Sequence, residues 1–384
     1  MESLKIAFFC WESLYAERVG GLANAATHLA ETLAKRHEVH FFTRGSGTDA
    51  EINSVQYHYC QPKGEHIIAY CSDMSRIMVD QFRQHDAPSF DLLHFHDWHV
   101  VDALHRLRHR PTVFSFHSTE FGRSGNHIGE WWEFQKISGK EWYGSFIAKR
   151  ITAVSSALRD EAMRLYAIPD WKIDVVPNGV VPSEFTASVE PSAVRTAYGL
   201  NNADPLILFV GRLTYQKGPD LLLDAVPGIM DHCEGGHLVF IGDGNMRPDL
   251  ESRARSLPVS FLGFLSDTAY VPLLNASDLV VIPSRNEPFG LVLLEAWSAG
   301  RCVIASDVGG LSENIDHGMD GIKVHPDPAG IAGGFAQVAG CPERITSIGR
   351  RGRTKVEHNF RWSAIAERML DTYRKVLEET CLVS

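Results

Sequence analysis

Short apolar runs alternate with amphipathic stretches along the whole chain, and this alternation restricts the fold more than any other feature. The order is typical of βαβ units arranged around parallel sheets. Strands are predicted at residues 5–11, 38–43, 92–95, 112–116, 151–154 and 173–176, and in a second series at 206–210, 237–241, 259–262, 279–282 and 303–305. The sequence therefore predicts an α/β protein with two doubly wound, Rossmann-like domains.

A cluster of proline and glycine at residues 177–182 divides the two series, and the polar stretch that follows it up to Asp204 is predicted to be a linker. A chain of 384 residues suits two domains better than one core. We expect domains at residues 1–180 and 181–361, with a long final helix at 362–380. In two such domains the strand ends face a central cleft, which is the usual location of ligands.

Composition excludes several classes of function. The net charge of -10, without any run of Lys or Arg, argues against a nucleic-acid partner. No apolar segment is long enough to predict a transmembrane helix, and the first residues do not resemble a signal peptide. Seven scattered cysteines predict a reducing, cytoplasmic location. The chain has no G-x-G-x-x-G motif, so a nicotinamide or flavin cofactor is not expected.

Two glutamates eight residues apart mark the most informative motif. Glu287 lies in the loop after the predicted strand at 279–282. Glu295 lies in the next predicted helix, which Pro288 and Gly290 are expected to open. The free backbone N–H groups at the start of that helix favour an anion. This pattern predicts a site for an anionic ligand that carries hydroxyl groups, such as a sugar nucleotide.

Two cations lie in the loop after the predicted strand at 206–210. Arg212 and Lys217 are five residues apart between Gly211 and Gly218, and together they can hold a diphosphate. The alternative is a surface loop with two solvated cations. The spacing excludes a Walker P-loop.

The first half offers weaker candidates. Gly20 and Gly21, preceded by Arg18, lie at the first strand-to-helix turn, where glycine lets a phosphate or a sugar approach the helix start. A flexible turn is the alternative. His117 ends a predicted strand, where its imidazole is either a ligand for a substrate hydroxyl or a packed structural group.

Two further groups have a structural and a functional interpretation. His94, His96 and Asp97 suggest a metal site, but no cysteine, second carboxylate or H-E-x-x-H pattern supports it. An aromatic-rich stretch is interpreted first as core and second as a stacking surface for an acceptor sugar. Its members are Trp131, Trp132, Phe134, Trp142 and Tyr143.

Taken together, these motifs resemble those of the retaining nucleotide-sugar glycosyltransferases of the GT-B fold. The resemblance is greatest to family four and its glycogen-synthase-like branch from archaea and bacteria. The matching segments are 18–22 (K-x-G-G-L, with Arg for Lys), 94–99 (H-x-H-D-W), 211–218, 287–295 (E-x7-E) and 305–313, in the family's order. In that family the final helix packs back on the N-terminal domain.

The resemblance implies a role for each matched residue. Arg212 and Lys217 neutralise the diphosphate leaving group. Glu287 contacts the donor sugar and stabilises positive charge at its anomeric carbon. Glu295 accepts hydrogen bonds from the ribose, and His117 contacts the sugar near its sixth carbon. Donor-binding backbone and side-chain groups are expected at Arg18, Gly20, Gly21, Gly290 and Leu291.

The implied function is a metal-independent, retaining transfer of a hexose, with glucose as first choice, to a sugar or glucan-type acceptor. UDP- or ADP-glucose is the expected co-substrate, and no cofactor or metal is expected. Alternatives are a UDP-sugar epimerase of the same fold, a family-four transferase that uses GDP-mannose or UDP-GlcNAc, and a regulatory protein that binds a sugar nucleotide. The acceptor is left open, because Arg18 stands in place of the family's Lys and the sequence between Arg44 and Val55 is short. The oligomeric state is open as well.

Overall fold

The computed structural model describes residues 3–17 and 19–381, and these residues divide into two compact units. The first unit takes in the described chain up to Phe121, the segment His127–Gly179 and the chain from Trp362 onward. The second unit takes in Gly122–Asn126 and Val180–Arg361. Each unit is built on a parallel sheet, so the predicted pair of α/β units is confirmed.

The described part of the first unit contains a sheet of eight strands in the order β3-β4-β2-β1-β5-β6-β7-β8, in which only β3 and β4 pair antiparallel. The strands are β1 (Lys5–Phe9), β2 (Glu38–Arg44), β3 (Ala50–Ile52), β4 (Val55–Cys60), β5 (Leu92–His96), β6 (Thr112–Phe116), β7 (Arg150–Ala153) and β8 (Ile173–Val175). The helices are α1 (Gly21–Ala34), α2 (Ile67–His85), α3 (Val101–Leu107), α4 (Glu120–Arg123), α5 (Trp132–Ile147) and α6 (Ser156–Tyr166).

The central strands β1, β5 and β6 are buried along their whole length. Parallel strands covered by helices on both faces have apolar side chains on both faces, which explains the continuous apolar runs in the sequence. The hairpin β3–β4 was not predicted, because β4 mixes glutamine, histidine and tyrosine with apolar residues. Its two turn residues, Asn53 and Ser54, have φ angles of 49° and 66°, as a tight hairpin turn requires.

The described part of the second unit contains a six-stranded, fully parallel sheet in the order β11-β10-β9-β12-β13-β14. The helices are α7 (Pro191–Ala197), α8 (Pro219–Met230), α9 (Arg247–Arg253), α10 (Asp267–Ala276), α11 (Leu291–Ser298), α12 (Gly309–Asn314), α13 (Pro328–Ala336) and α14 (Pro342–Asn359). The strands are β9 (Leu206–Val210), β10 (His237–Ile241), β11 (Val259–Gly263), β12 (Leu279–Ile282), β13 (Cys302–Ser306) and β14 (Ile322–Val324). The three-residue strand β14 was not predicted.

The polar stretch before Asp204 is not a linker, and this prediction was wrong. Residues 182–204 belong to the second unit and carry α7, which packs on α10. Arg195 fixes the contact, since its guanidinium donates to the Ala276 carbonyl at 2.8 and 3.1 Å and to Asp278 at 3.0 Å. A short helix held by one arginine has no apolar stripe, which is why its sequence resembles a loop.

The final helix α15 (Trp362–Cys381) belongs to the first unit and packs on α1. Polar contacts anchor it there. The Tyr373 hydroxyl lies 2.8 Å from His94 Nδ1, and Thr372 Oγ1 donates to Asp174 at 3.0 Å. No helix among residues 3–17 and 19–381 has the length and apolarity needed to cross a membrane.

Candidate active site

An ion pair joins two of the predicted site residues in the second unit. Lys217 Nζ donates to Glu287 Oε2 at 2.7 Å, and Ser284 Oγ donates to the same oxygen at 3.0 Å. Lys217 follows β9 and Glu287 follows β12, and these parallel strands are neighbours in the sheet. Their carboxyl ends therefore bring the residues together across 70 positions of sequence. Glu287 is 7% exposed, so its charge is largely shielded from water and is neutralised by Lys217.

Two glycines permit the close approach of the loops around this pair. Gly218 has a φ of +64°, and a Cβ atom there would lie 2.2 Å from the Pro283 carbonyl oxygen. Gly309 has a φ of +50°, and a Cβ atom there would lie 2.1 Å from the Glu287 carbonyl oxygen. The Gly310 N–H donates to that same carbonyl at 2.9 Å. The segment 305–313 thus fixes the backbone of Glu287, a function that its sequence alone did not indicate.

Arg212 is the exposed cation of the predicted clamp. Gln216 Oε1 lies 3.4 Å from Arg212 Nη2. Gln216 is buried, while Arg212 at the other end of the contact is exposed. The guanidinium is thus supported by the loop and faces solvent, where an anion can reach it.

A third cation, Arg285, was missed by sequence reasoning and holds the clamp loop in place. It donates to both Asp220 carboxylate oxygens, at 2.9 and 2.6 Å, and to the Tyr215 carbonyl at 2.9 Å. Its guanidinium carbon lies 3.9 Å from the centroid of the Tyr215 ring. Because Tyr215 opens the 3₁₀ turn that ends at Lys217, Arg285 positions the lysine and is itself committed to Asp220.

Glu295 lies in α11 and has a hydroxyl partner. The buried Tyr270 of α10 donates to Glu295 Oε2 at 2.8 Å. Burial and the neighbouring Glu295 carboxylate raise the pKa of Tyr270 well above its ordinary value, so the phenol keeps its proton and donates.

The start of α11 has the form predicted for anion binding. The helix begins at Leu291, and Gly290 precedes it with a φ of +97°. The N-cap residue Gly290 makes no side-chain capping hydrogen bond to this helix start. The first N–H groups of the helix carry the positive end of its dipole.

The glycine turn of the first unit differs from its prediction in one respect. Gly20 precedes α1, which begins at Gly21, but the Gly20 N–H donates to Glu12 Oε2 at 3.1 Å. Val19 N–H donates to the same oxygen at 2.5 Å. Burial raises the pKa of Glu12 although these two N–H groups oppose that effect. The Gly20 amide is thus already occupied, and sequence reasoning missed its partner. Arg18 lies outside the described residues.

His117 follows β6 and is half-buried. Its backbone N–H donates to Asp97 Oδ1 at 2.8 Å, and its Nε2 lies 3.0 Å from His96 Nδ1. Burial lowers the pKa of His117, so the imidazole is neutral at pH 7. A neutral ring that contacts His96, on a backbone held by Asp97, fits a hydrogen-bonding role. The sugar contact assigned to His117 stays a prediction.

The metal interpretation of the His94–Asp97 segment does not fit the contacts of His94. His94 Nδ1 lies 2.8 Å from the Tyr373 hydroxyl, and Nε2 lies 2.6 Å from Ser115 Oγ. Both nitrogens are therefore committed to hydroxyl groups inside the core. His94 anchors α15 to β5, which is a structural role.

The aromatic-rich stretch is core in part only. Phe134 is buried, with 5% exposure, as the first interpretation requires. Trp131, Trp132 and Trp142 are each about half exposed, at 50%, 48% and 50%. The core interpretation is wrong for these three, and the stacking interpretation for an acceptor sugar stays a prediction.

Comparison with known proteins agrees with this geometry. The sequence pattern of Glycosyltransferase Family 4 matches residues 19–184, and that of Glycosyl transferases group 1 matches residues 204–340. An uncharacterized glycosyltransferase of Methanocaldococcus jannaschii is 35% identical over 391 residues, covering 98% of this chain and 99% of that protein. A glycogen synthase of Mycobacterium tuberculosis is 28% identical, covering 92% of this chain and 91% of that protein.

Solved structures share the fold. Sucrose-phosphate synthase from Thermosynechococcus elongatus superposes with a TM-score of 0.79 at 22% identity, covering 98% of this chain and 100% of that one. HepE of Anabaena, in complex with UDP-glucose, superposes with a TM-score of 0.77 at 20% identity, covering 97% of this chain and 100% of that one. The chain belongs to the GT-B glycosyltransferases, in the group of family four, as the resemblance implied.

Proposed function

We propose that this glycosyltransferase moves a hexose, with glucose as first choice, from a nucleotide diphosphate sugar to a sugar or glucan-type acceptor. In this proposal the anomeric configuration is retained and no metal takes part. The Lys217–Glu287 ion pair supports the proposal, because the lysine that we assign to the diphosphate lies beside a shielded carboxylate. The relatives support it: one is a glycogen synthase, and HepE was solved with UDP-glucose.

The diphosphate is assigned to the cationic side of this site. Lys217 and Arg212 supply positive charge, and the N–H groups at Gly290 and Leu291 supply fixed donors. Fixed charges that face a departing diphosphate stabilise it without reorganisation during the reaction. This arrangement supplies the charge that a divalent ion provides in other transferases.

Glu287 is assigned to the sugar. With Oε2 held by Lys217 and Ser284, its carboxylate is fixed in place before the donor binds. A fixed carboxylate stabilises positive charge as the anomeric C–O bond breaks. The acceptor hydroxyl then attacks on the face that the diphosphate leaves, and the diphosphate takes its proton. Positioning and electrostatics carry this mechanism, which needs no protein nucleophile.

The ribose is assigned to Glu295. Its carboxylate accepts from the ribose hydroxyls, and Tyr270 donates to its Oε2. A carboxylate offers several acceptor positions, so both contacts are compatible. This assignment explains why the two glutamates lie in one motif, since one serves the sugar and the other the nucleoside.

A panel of UDP-, ADP- and GDP-hexoses with glucose and malto-oligosaccharides as acceptors tests the proposal. We expect one glucosyl donor to be used, with a product whose new linkage keeps the donor's anomeric configuration by NMR. Glu287→Gln should abolish transfer, and Glu251→Gln, on the exposed helix α9, should not. An inverted linkage would overturn retention. Conversion of the donor without an acceptor would indicate the epimerase, and donor binding without turnover the regulatory protein.

A further inference from the structure

Three histidine side chains meet in the first unit between two strands and a helix end. His40 lies near the amino end of β2, His58 lies on the adjacent strand β4, and His85 is the last residue of α2. One nitrogen of each ring lies within 4.8 Å of the other two. Among residues 3–17 and 19–381, this is the single group of three or more histidine, cysteine or carboxylate side chains able to hold one ion.

Two carboxylates determine which ring nitrogens carry protons. His40 Nε2 lies 3.0 Å from Glu38 Oε1, and His58 Nδ1 lies 2.6 Å from Asp49 Oδ2. An ionised carboxylate only accepts, so each of these nitrogens donates. The other two nitrogens, His40 Nδ1 and His58 Nε2, face each other across 2.9 Å. In neutral rings each of them presents a lone pair to the other.

Two facing lone pairs repel each other unless a positive charge lies between them. A proton is one such charge, and a metal ion bound to both nitrogens is another. A neutral imidazole is also the form that binds metal ions.

We propose that His40 Nδ1, His58 Nε2 and a ring nitrogen of His85 bind one divalent transition-metal ion, with zinc as first choice. Imidazole nitrogens suit zinc, whose tetrahedral site with metal–nitrogen distances of about 2.0–2.1 Å sets neighbouring ligand atoms about 3.3 Å apart. The observed 2.9 Å separation must widen by a few tenths of an ångström. His85 is half-buried, which leaves the fourth position to a water molecule.

The surroundings complete the site. Glu38 and Asp49 accept from the two buried ligands, as the outer partners of metal-bound histidines do. Lys5 is a nearby cation, and it is engaged: its Nζ lies 3.5 Å from Glu38 and donates to the His85 carbonyl at 2.8 Å. Two carboxylates and one ammonium group leave a net negative charge around the ion.

The ion has a structural role in this proposal. It ties the end of α2 to strands β2 and β4, near the amino end of β2, whereas His117 and the glycine turn follow the carboxyl ends of strands. Binding to the folded state alone stabilises that state by mass action. The proposal does not rest on the transferase reaction, and its readouts are metal binding and melting temperature.

The test titrates tag-free, chelator-treated protein with zinc by calorimetry and with cobalt by visible absorption. We expect one equivalent bound, the strong visible bands of tetrahedral cobalt, and a higher melting temperature with metal. His58→Gln should abolish binding, and Asp49→Asn should weaken it about 10-fold. His232→Gln, at an exposed histidine of the second unit, is the matched control and should bind as the wild type does.

Less than one equivalent of zinc and cobalt bound by the wild type overturns the proposal. Equal affinity of His58→Gln and wild type overturns it too. If His58→Gln fails to fold, His85→Gln and Asp49→Asn decide, because His85 is half-buried and the Asp49 side chain is 51% exposed. Unchanged affinity in both of these variants would then place the metal elsewhere and reject the site.

Discussion

Lys217 Nζ donates to Glu287 Oε2 across 2.7 Å, and this ion pair joins the carboxyl ends of two neighbouring parallel strands. Lys217 therefore has a partner before any ligand binds. An ammonium group has three N–H bonds, so it can keep Glu287 and also bind a phosphate. In the proposed function the lysine thus binds the diphosphate while Glu287 faces the donor sugar.

Removing the lysine is expected to affect both activity and stability. In Lys217→Ala the departing diphosphate loses one fixed cation, which costs about 2–4 kcal/mol, or roughly 30- to 1,000-fold in turnover. Glu287 is left shielded and without its cation, which lowers the free energy of unfolding by about 1–3 kcal/mol. Steady-state kinetics and urea unfolding measure the two effects.

The double variant Lys217→Ala/Glu287→Gln separates them. It removes the uncompensated charge, so we expect it to recover much of the stability of Lys217→Ala while activity stays lost. Arg253→Ala, at an exposed ion pair of α9, is the control and should change neither quantity strongly. Turnover of Lys217→Ala close to that of the wild type would remove Lys217 from the site.

The sequence predicted those parts of the fold and site that depend on local pattern. Strands β9 and β12 have the predicted bounds, because strands buried on both faces appear as uninterrupted apolar runs. Lys217 and Glu287 were singled out because ligand-binding residues in parallel sheets follow the carboxyl ends of strands, and the structure brings the two side chains into contact. Hairpin β3–β4 and helix α7 were missed because polar residues are mixed with the apolar ones there. Their apolar residues follow neither the two-residue alternation of a strand nor the 3.6-residue spacing of a helix.

The partners of the site residues were not predictable in the same way. Ser284 and Tyr270 contact Glu287 and Glu295 through loop geometry and helix packing, which no spacing in the sequence encodes. Glu12 was missed for a related reason, since a carboxylate that accepts from backbone N–H groups matches no motif. In the sequence alone, such residues cannot be told from ordinary polar surface residues.

Tyr270→Phe is expected to affect donor binding more than turnover. It removes the hydroxyl that donates to Glu295, so the carboxylate is less well oriented to bind the ribose. The loss of one hydrogen bond to a charged group costs about 1.5–3 kcal/mol, or roughly 10- to 150-fold in the KM for the donor. Tyr198→Phe, at the end of α7, is the control. A KM equal to that of the wild type would mean that Glu295 does not hold the ribose.

The Arg285–Asp220 pair gives the second unit a predictable dependence on pH. Burial raises the pKa of Asp220, but hydrogen bonds from Arg285 outweigh this and leave it below its ordinary value. A carboxyl group whose pKa is lowered on folding adds stability above its unfolded pKa of about 3.9, and that stability is lost as pH falls through the folded pKa. Arg285→Ala should therefore cost about 1–3 kcal/mol at pH 7 and progressively less below about pH 4.

Thermal unfolding of wild type and Arg285→Ala from pH 7 to pH 3 measures this difference. The melting temperatures should converge as the solution becomes more acidic. Arg253→Ala, which breaks exposed pairs, should show a small difference at every pH. A difference between wild type and Arg285→Ala that stays constant down to pH 3 would contradict the ion-pair explanation.

Chelation is expected to leave the chemical step intact, because in the proposed function Arg212 and Lys217 supply the charge that a divalent ion supplies elsewhere. After treatment with EDTA, added magnesium or manganese should not raise turnover.

The histidine cluster of His40, His58 and His85 should respond to EDTA through stability instead. Loss of its ion should lower the melting temperature, and only metals that bind imidazole should restore that temperature. His58→Gln serves as the control, because its activity should not respond to the chelator. Turnover that magnesium restores many-fold at an unchanged melting temperature would show that the transfer reaction itself requires a metal.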